Sequence, residues 1–460
     1  MSAPGAEPLS LRGTLARSTR LAARHLWGAA ASVRLADIAT GTALDRPLAE
    51  LAGRSVLLRV ADPFYAALAL IELDGIARRI VLCPPDVADA ALPGVIAAAE
   101  VDALATDAAP GGWAGGLAVA TIALPVRPLA EPLSQPAPLA TEWVMFTSGT
   151  SGPPKMVVHT LAGLTGAIRP APAGGAPPVW ATFYDIRRYG GLQMLLRFLL
   201  GEGSIALTSP AEPMPAFLTR AAAHGATHVT GTPSHWRRAL MSPESAALEP
   251  RYVRLSGEIA DQAVLDALKA RFPGVPIGHA YASTEAGVGF EVNDGLAGFP
   301  AAYVGRPGEV ELRVVEGALQ LRSGRAAGGY IGAGALKTAD GFVDSGDMVA
   351  LQGGRYHFVG RRGGIINVGG LKAHPEEIEA VINRHADVTQ CRVAGRRSPI
   401  TGQLVVAEVV LRAGADEAAA RAGIISACRE ALAPYKVPTL LKFVPQLAMT
   451  AGGKLERAVA

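Results

Sequence analysis

Cysteine is nearly absent from this chain of 460 residues. Cys83, Cys391 and Cys428 are far apart and lack CxxC or Cys/His spacing, which argues against a disulfide framework or a structural zinc site. They read as small buried hydrophobes in a protein of a reducing, cytoplasmic compartment. No uninterrupted apolar run reaches the ~18 residues of a membrane span, so integral membrane association is not expected. Neither sign of charge dominates. The 43 basic and 40 acidic residues leave a net of +3, too small a bias to point to nucleic acid or an anionic membrane. There is no internal repeat and no Walker-type GK[ST] sequence. The arginine-rich residues 11–35 lack a clean signal-peptide core and cleavage site, and read as an ordinary N-terminal helix rather than a transit peptide.

What is present is enough apolar chain for two or three domains. Residues 55–60 have the pattern of a buried strand, and Asp62-Pro63 then opens a helix, with aspartate as cap and proline in the first turn. Residues 79–82 form another short strand, with a helix expected between Pro85 and Glu100. This alternation predicts a parallel sheet. Residues 108–139, rich in Pro, Gly and Ala, read as surface connection, residues 143–146 as a strand, and residues 157–168 as a helix. Residues 309–321 and 341–360 have the period of two expected of antiparallel strands, with turns at Glu316-Gly317, Asp340-Gly341 and Gly353-Gly354. A helix is expected over 374–383. The fold class expected is α/β and α+β: a large domain of packed sheets and helices over residues 1–360, then a small mobile α+β domain over 361–460. The boundary is placed where Gly363 and Gly364 allow backbone rotation.

Two segments carry the chemistry. Thr147, Ser148, Gly149, Thr150, Ser151 and Gly152, followed by Pro153, Pro154 and Lys155, form a hydroxyl- and glycine-rich loop with one lysine. Backbone N–H groups in such a loop make an anion nest, hydroxyls add donors, and the preceding strand fixes its base. Near the end, Lys454 follows Gly452-Gly453. Together they suggest ATP bound on a large domain and a distant lysine brought to it from a small one.

The ordered set of motifs resembles the adenylate-forming superfamily of acyl-CoA synthetases, adenylation domains and luciferases. It comprises the loop, Tyr281-Ala282-Ser283-Thr284-Glu285, residues 317–330, Asp344-Ser345-Gly346-Asp347 with Gly360-Arg361, Gly369-Gly370-Leu371-Lys372, Pro434-Tyr435-Lys436, and residues 449–457. The resemblance covers residue 55 to the end. It implies activation of a small-molecule carboxylic acid by ATP to an acyl-AMP, with pyrophosphate released, then transfer to the thiol of coenzyme A. By resemblance, residues 147–151 and Lys155 hold phosphates and Thr284 contacts the α-phosphate. Glu285 binds Mg²⁺, Tyr281 stacks near the adenine, and Asp347 takes the ribose hydroxyls with support from Arg361. Lys454 bridges the carboxylate and the α-phosphate. Gly369, Gly370 and Lys436 would serve the thiol acceptor, and Gly363 the hinge.

The acyl pocket is assigned to Arg187, Tyr189, Gly190, Ser256, Gly257 and Ala282. A guanidinium from Arg187 or Arg188 facing it would favour a second carboxylate on the substrate, the competing reading being a solvent-facing arginine pair. Thr232-Pro233-Ser234-His235-Trp236 line or back the acyl site, with His235 read as a packed or capping residue rather than a catalyst. The chain departs from the family pattern at Ala282 and Met156, where glycine is usual, and at Gly363-Gly364, where the hinge usually carries aspartate or lysine. The alternative acceptor is the phosphopantetheine thiol of an acyl or peptidyl carrier protein. Luciferase-like oxygenation and a non-catalytic nucleotide binder are the remaining rivals.

Overall fold

The computed structural model describes residues 10–129, 138–147, 155–169, 175–332, 334–398, 402–450 and 453–456. Among these, two eight-stranded sheets form the centre of the large domain. One runs, in spatial order, through Gly329–Tyr330, Met156–Thr160, Glu142–Phe146, Arg79–Leu82, Ser55–Leu58, Ala103–Thr106, Ala118–Pro128 and Gly41–Leu44. The other runs through Gly287–Val292, Ile277–Ser283, Tyr252–Ser256, His228–Gly231, Val179–Thr182, Ser204–Leu207, His25–Trp27 and Ser32–Arg34. The inner strands of each are parallel, as the strand–helix alternation predicts.

Side-chain alternation distributes the core. Val56 and Leu58 face the cluster between the two sheets, whereas Leu57 faces a separate cluster on the outer surface of its sheet. Helices Pro63–Leu73 and Tyr189–Leu200 fill the space between the sheets and are buried over most of their surface. Asp62 caps the first of them, accepting from the Phe64 N–H, with Pro63 at its first position. A third, five-stranded antiparallel sheet contains Val310–Val315, Ala318–Ser323, Val343–Gln352 and Arg355–Arg361. The small C-terminal domain has its own hydrophobic cluster, drawn wholly from residues 366 onward. There, helices Pro375–Ile382 and Glu417–Ala431 pack on a mixed sheet. The three cysteines are buried, and no helix among the described residues is long and apolar enough to cross a membrane.

Four local expectations differ from the fold. Residues 108–139 contain an edge-proximal strand, Ala118–Pro128, hydrogen-bonded on both sides despite its prolines. Residues 157–168 are a strand, Met156–Thr160, and then only a short helix, Leu161–Thr165. The β-branched Val157 and Val158 pair with Glu142–Phe146, and Thr160 caps the helix through Gly163 N–H. The N-terminal stretch is not one helix: Leu11–Ala16 is helical, and His25–Trp27 and Ser32–Arg34 extend the second sheet. The helix before Glu100 starts only at Leu92.

Candidate active site

Strand Glu142–Phe146 leads into Thr147 and Met156–Thr160 leads out of Lys155. The Thr147 N–H donates to the Lys155 carbonyl at 2.9 Å, closing the neck of the loop. Ser148, Gly149, Thr150, Ser151 and Gly152 lie outside the described residues. The Lys155 ammonium stands 5.9 Å from the centroid of the Tyr330 ring.

Tyr281, Thr284 and Glu285 come from the end of strand Ile277–Ser283 and the turn beyond it. The Tyr281 hydroxyl donates to Asp347 Oδ2 at 2.6 Å, and Arg361 Nε donates to Asp347 Oδ1 at 2.9 Å. Asp347 and Arg361 are register partners on adjacent antiparallel strands, which is why residues 14 apart meet. Burial, reinforced by the Asp347 carboxylate, pushes the Tyr281 hydroxyl well above the usual tyrosine range. The Tyr281 ring packs parallel to Phe290 and Phe358, with centroids 5.5 and 5.1 Å away.

Lys454 reaches this cleft from the last residues of the chain. A Cβ on Gly257 would lie 3.4 Å from Lys454 Cε, and Gly257 itself has φ +87°. The lysine keeps accessible surface, yet protein crowds its ammonium end. That desolvation lowers its pKa against the opposing pull of Glu258. Two groups of the large domain hold its turn, and a third contact joins the two domains elsewhere. Thr232 Oγ1 donates to the Gly453 carbonyl at 2.9 Å, the Leu455 N–H donates to Glu258 Oε1 at 2.9 Å, and Gln390 Nε2 donates to Ser234 Oγ at 3.1 Å. No spacing rule in the sequence marks Glu258, and Thr232, assigned to the surround of the acyl site, takes its role at Gly453 only from the meeting of the two domains.

His235 is a capping residue, as expected. Its imidazole and Thr232 form a reciprocal capping box at the start of helix Pro233–Met241, and burial lowers its pKa to about 3, so it stays neutral. Arg187 requires a correction. It is buried, with Nε and Nη2 on the Asp185 carboxylate at 2.7 and 3.0 Å and Nη1 on the carbonyls of Val60 and Ala61 at 2.7 Å each. Its fork is spent on the fold, so it neither faces solvent nor offers a free guanidinium to an acyl group. Arg188 pairs with Asp86.

Tyr189 and Gly190 open helix Tyr189–Leu200, and Tyr189 is buried in the central core. The Tyr184 hydroxyl shares its proton between the carbonyls of Gly231 and Ser256, 2.6 and 3.0 Å away, fixing the backbone before Gly257. Ala282 follows a bulge at Tyr281 and packs against the central core. In the small domain, Gly369 and Gly370 form the exposed positive-φ turn of a hairpin, while Lys436 is paired with Glu377 at 2.7 Å. Gly363 lies in an exposed turn where a Cβ would meet nothing within 4 Å.

Comparison with known proteins agrees with this arrangement. Residues 79–331 match the AMP-binding enzyme family, and residues 377–454 match the AMP-binding enzyme C-terminal domain. A sulfoacetate–CoA ligase of Cupriavidus necator is 29% identical over 356 residues, covering 71% of this chain and 68% of that protein. A 2-succinylbenzoate–CoA ligase of Geobacillus kaustophilus is 28% identical over 340 residues, covering 68% and 67% respectively. The fold is similar to that of anthranilate CoA ligase solved with anthranoyl-AMP, with a TM-score of 0.79 at 18% identity over 97% of this chain and 96% of that one. The chain belongs to the AMP-binding enzyme family of the adenylate-forming superfamily.

Proposed function

We propose that this protein is an AMP-forming acid–thiol ligase that activates a carboxylic acid with ATP and passes the acyl group to coenzyme A, and that its domains divide at residues 360 and 361. The observation that carries the reading is Lys454: a lysine of the small domain packed against Gly257 of the large domain, its turn bonded to Thr232 and Glu258, and close enough to feel the charges of Asp347 and Arg361. The curated relatives described above are CoA ligases, which favours coenzyme A over a carrier protein as acceptor.

In the first half-reaction a substrate carboxylate oxygen bonds to the α-phosphorus of ATP and the bond to the β-phosphate oxygen breaks, giving acyl-AMP and pyrophosphate. Lys454 gathers the carboxylate and α-phosphate oxygens, neutralising two anions that repel one another. Lys155 and the 147–151 loop hold the outgoing phosphates, and Thr284 donates to the α-phosphate. Asp347, oriented by Tyr281 and Arg361, accepts from the ribose hydroxyls. Among the described residues no group of three or more His, Cys, Asp or Glu is disposed to hold a metal. A single carboxylate, Glu285, beside substrate phosphates fits Mg²⁺, which commonly completes its shell with phosphate and water. Bound there, it supplies charge neutralisation. In the second half-reaction the thiol sulfur bonds to the acyl carbon and AMP leaves with the bonding pair. Gly369, Gly370 and Lys436 serve that step after the small domain turns about Gly363.

Pyrophosphate release across a panel of acids, with and without coenzyme A, tests the proposal. The panel includes sulfoacetate, 2-succinylbenzoate and anthranilate. Acid-dependent release with formation of the CoA thioester is the expected result. Release without thioester moves the acceptor to a carrier-protein phosphopantetheine, and no release with any acid overturns the ligase reading.

A further inference from the structure

His159 is a buried polar residue in the central core that the functional reading leaves without a role. It lies on strand Met156–Thr160, four residues after Lys155, and is 1% exposed. From a strand of the first sheet its side chain reaches the turn just past the end of strand Ile277–Ser283 of the second, where Nε2 lies 2.7 Å from the carbonyl oxygen of Thr284. A carbonyl only accepts, so Nε2 carries the proton. Burial lowers the pKa of His159 to about 4, so the ring is neutral and Nδ1 is a bare acceptor, without a hydrogen-bond partner among the described residues. The ring of Tyr189 lies against it, with centroids 5.6 Å apart.

The turn it grips has other ties, and they differ in kind. Ser283 and Ala286 are joined within the turn, by Ala286 N–H to Ser283 Oγ at 2.9 Å. The Glu285 carbonyl accepts from Ala327 N–H at 2.9 Å, and residues 328–331 pair in turn with the strand that carries His159. That bond fixes only the carbonyl of Glu285, not the Thr284–Glu285 peptide from which its side chain departs. Thr284 is anchored to the Lys155 strand through the His159 imidazole.

We propose that His159 is a positioning residue for the phosphate site. Through the Thr284 carbonyl it fixes the Thr284–Glu285 turn of one sheet relative to Lys155 and the phosphate loop of the other. This rests on the assignment of Thr284 and Glu285 under the proposed function. A strand cannot shift without carrying both Lys155 and His159, so the two halves of the phosphate site move as one body. The ring needs to be neutral, with Nε2 protonated; burial secures the first and the Thr284 carbonyl the second.

The test compares wild type with His159→Leu and His159→Gln, the glutamine amide placing an N–H at about the reach of Nε2. Binding is measured by calorimetry with AMP, with ATP, and with ATP plus Mg²⁺, and pyrophosphate release is measured in parallel. The leucine variant is expected to bind AMP more weakly than wild type, because AMP carries the α-phosphate that Thr284 contacts, although the Tyr281–Asp347–Arg361 contacts to the nucleoside are untouched. Its gain in ATP affinity on adding Mg²⁺ falls at least fivefold. Its turnover falls roughly 10- to 100-fold, the scale carried by a misplacement of about 1 Å. Glutamine restores most of both.

Wild-type Mg²⁺ gain in the leucine variant, or a glutamine variant no better than leucine, overturns the inference. Should His159→Leu not fold, His159→Asn replaces it, since its shorter amide falls short of the Thr284 carbonyl. The binding arm reads the positioning role even if wild type releases no pyrophosphate with any acid, a result that would count against the ligase reading alone.

Discussion

Gly453→Ala gives the sharpest test of how Lys454 is delivered. Gly453 has φ +70°, and a Cβ there would lie closer than 3.0 Å to Nε2 and Cε1 of His235, a separation real Cβ atoms do not show. The imidazole cannot swing aside. Its Nδ1 is engaged with Thr232, its ring stacks on Phe183 with centroids 5.6 Å apart, and it is buried. The turn must therefore lift off the large domain, giving up the Thr232–Gly453 and Glu258–Leu455 hydrogen bonds. A left-handed alanine costs about 1–2 kcal/mol. The two lost bonds cost about 0.5–1.5 kcal/mol for the neutral one and about 1.5–3 for the one to a carboxylate. At least about 3 kcal/mol is then removed from the docked arrangement, or roughly 10² in its population.

The assay measures pyrophosphate release at saturating ATP and acid beside thioester formation from supplied acyl-AMP and coenzyme A. The first is expected to fall about 10²-fold and the second to stay within about threefold, with the melting temperature almost unchanged because Gly453 lies outside the hydrophobic clusters. Adenylation within threefold of wild type would refute the docking argument, and so would equal loss in both half-reactions.

Other outcomes follow from the same geometry. Lys454→Ala is expected to lower adenylation by roughly 10² or more while sparing thioester formation from acyl-AMP, and stopped assays of the two half-reactions separate these effects. Arg187→Ala is expected to cost about 3–5 kcal/mol in urea unfolding, because it strands Asp185 in a buried ion pair; a folded variant with altered acid preference and unchanged stability would restore Arg187 to the pocket. Asp74 is buried between the Leu11 N–H and the Trp143 indole N–H, and burial raises its pKa from 3.8 to about 6. A raised carboxyl pKa contributes stability that is full below pH 3.8 and is lost as pH rises through about 6. Between pH 7 and pH 5 wild type should therefore gain about 1.4 kcal/mol relative to Asp74→Asn. Parallel stability-versus-pH curves for the two proteins would disprove this.

Much of the fold was legible because local signals agreed with it. Asp62-Pro63 announces a helix start in any context, and the alternation around Glu316-Gly317 can pair only as a hairpin. Residues 157–168 misled because a short apolar run fits helix and strand alike, and the decision came from the neighbouring strand Glu142–Phe146. The strand Ala118–Pro128 was hidden by its prolines, which sit where the sheet tolerates them. Arg187 was misassigned because, besides Asp185, it is held by the Val60 and Ala61 carbonyls, about 126 residues earlier, and no motif records a carbonyl.

By itself the sequence determined that this chain belongs with the adenylate-forming enzymes, because a phosphate loop, a Tyr-Thr-Glu turn, a ribose aspartate and a terminal lysine in that order are chemical requirements written in residue types. It also determined that the three cysteines would be apolar fillers. The tertiary structure alone decided how those groups are held. Thr232, His235 and Glu258 grip the turn of Lys454, His159 joins its strand to the Thr284 turn of the other sheet, and Arg187 is consumed by the core. These are long-range contacts between ordinary residues. Their energy depends on distance and burial, which residue order does not carry until the chain has closed on itself.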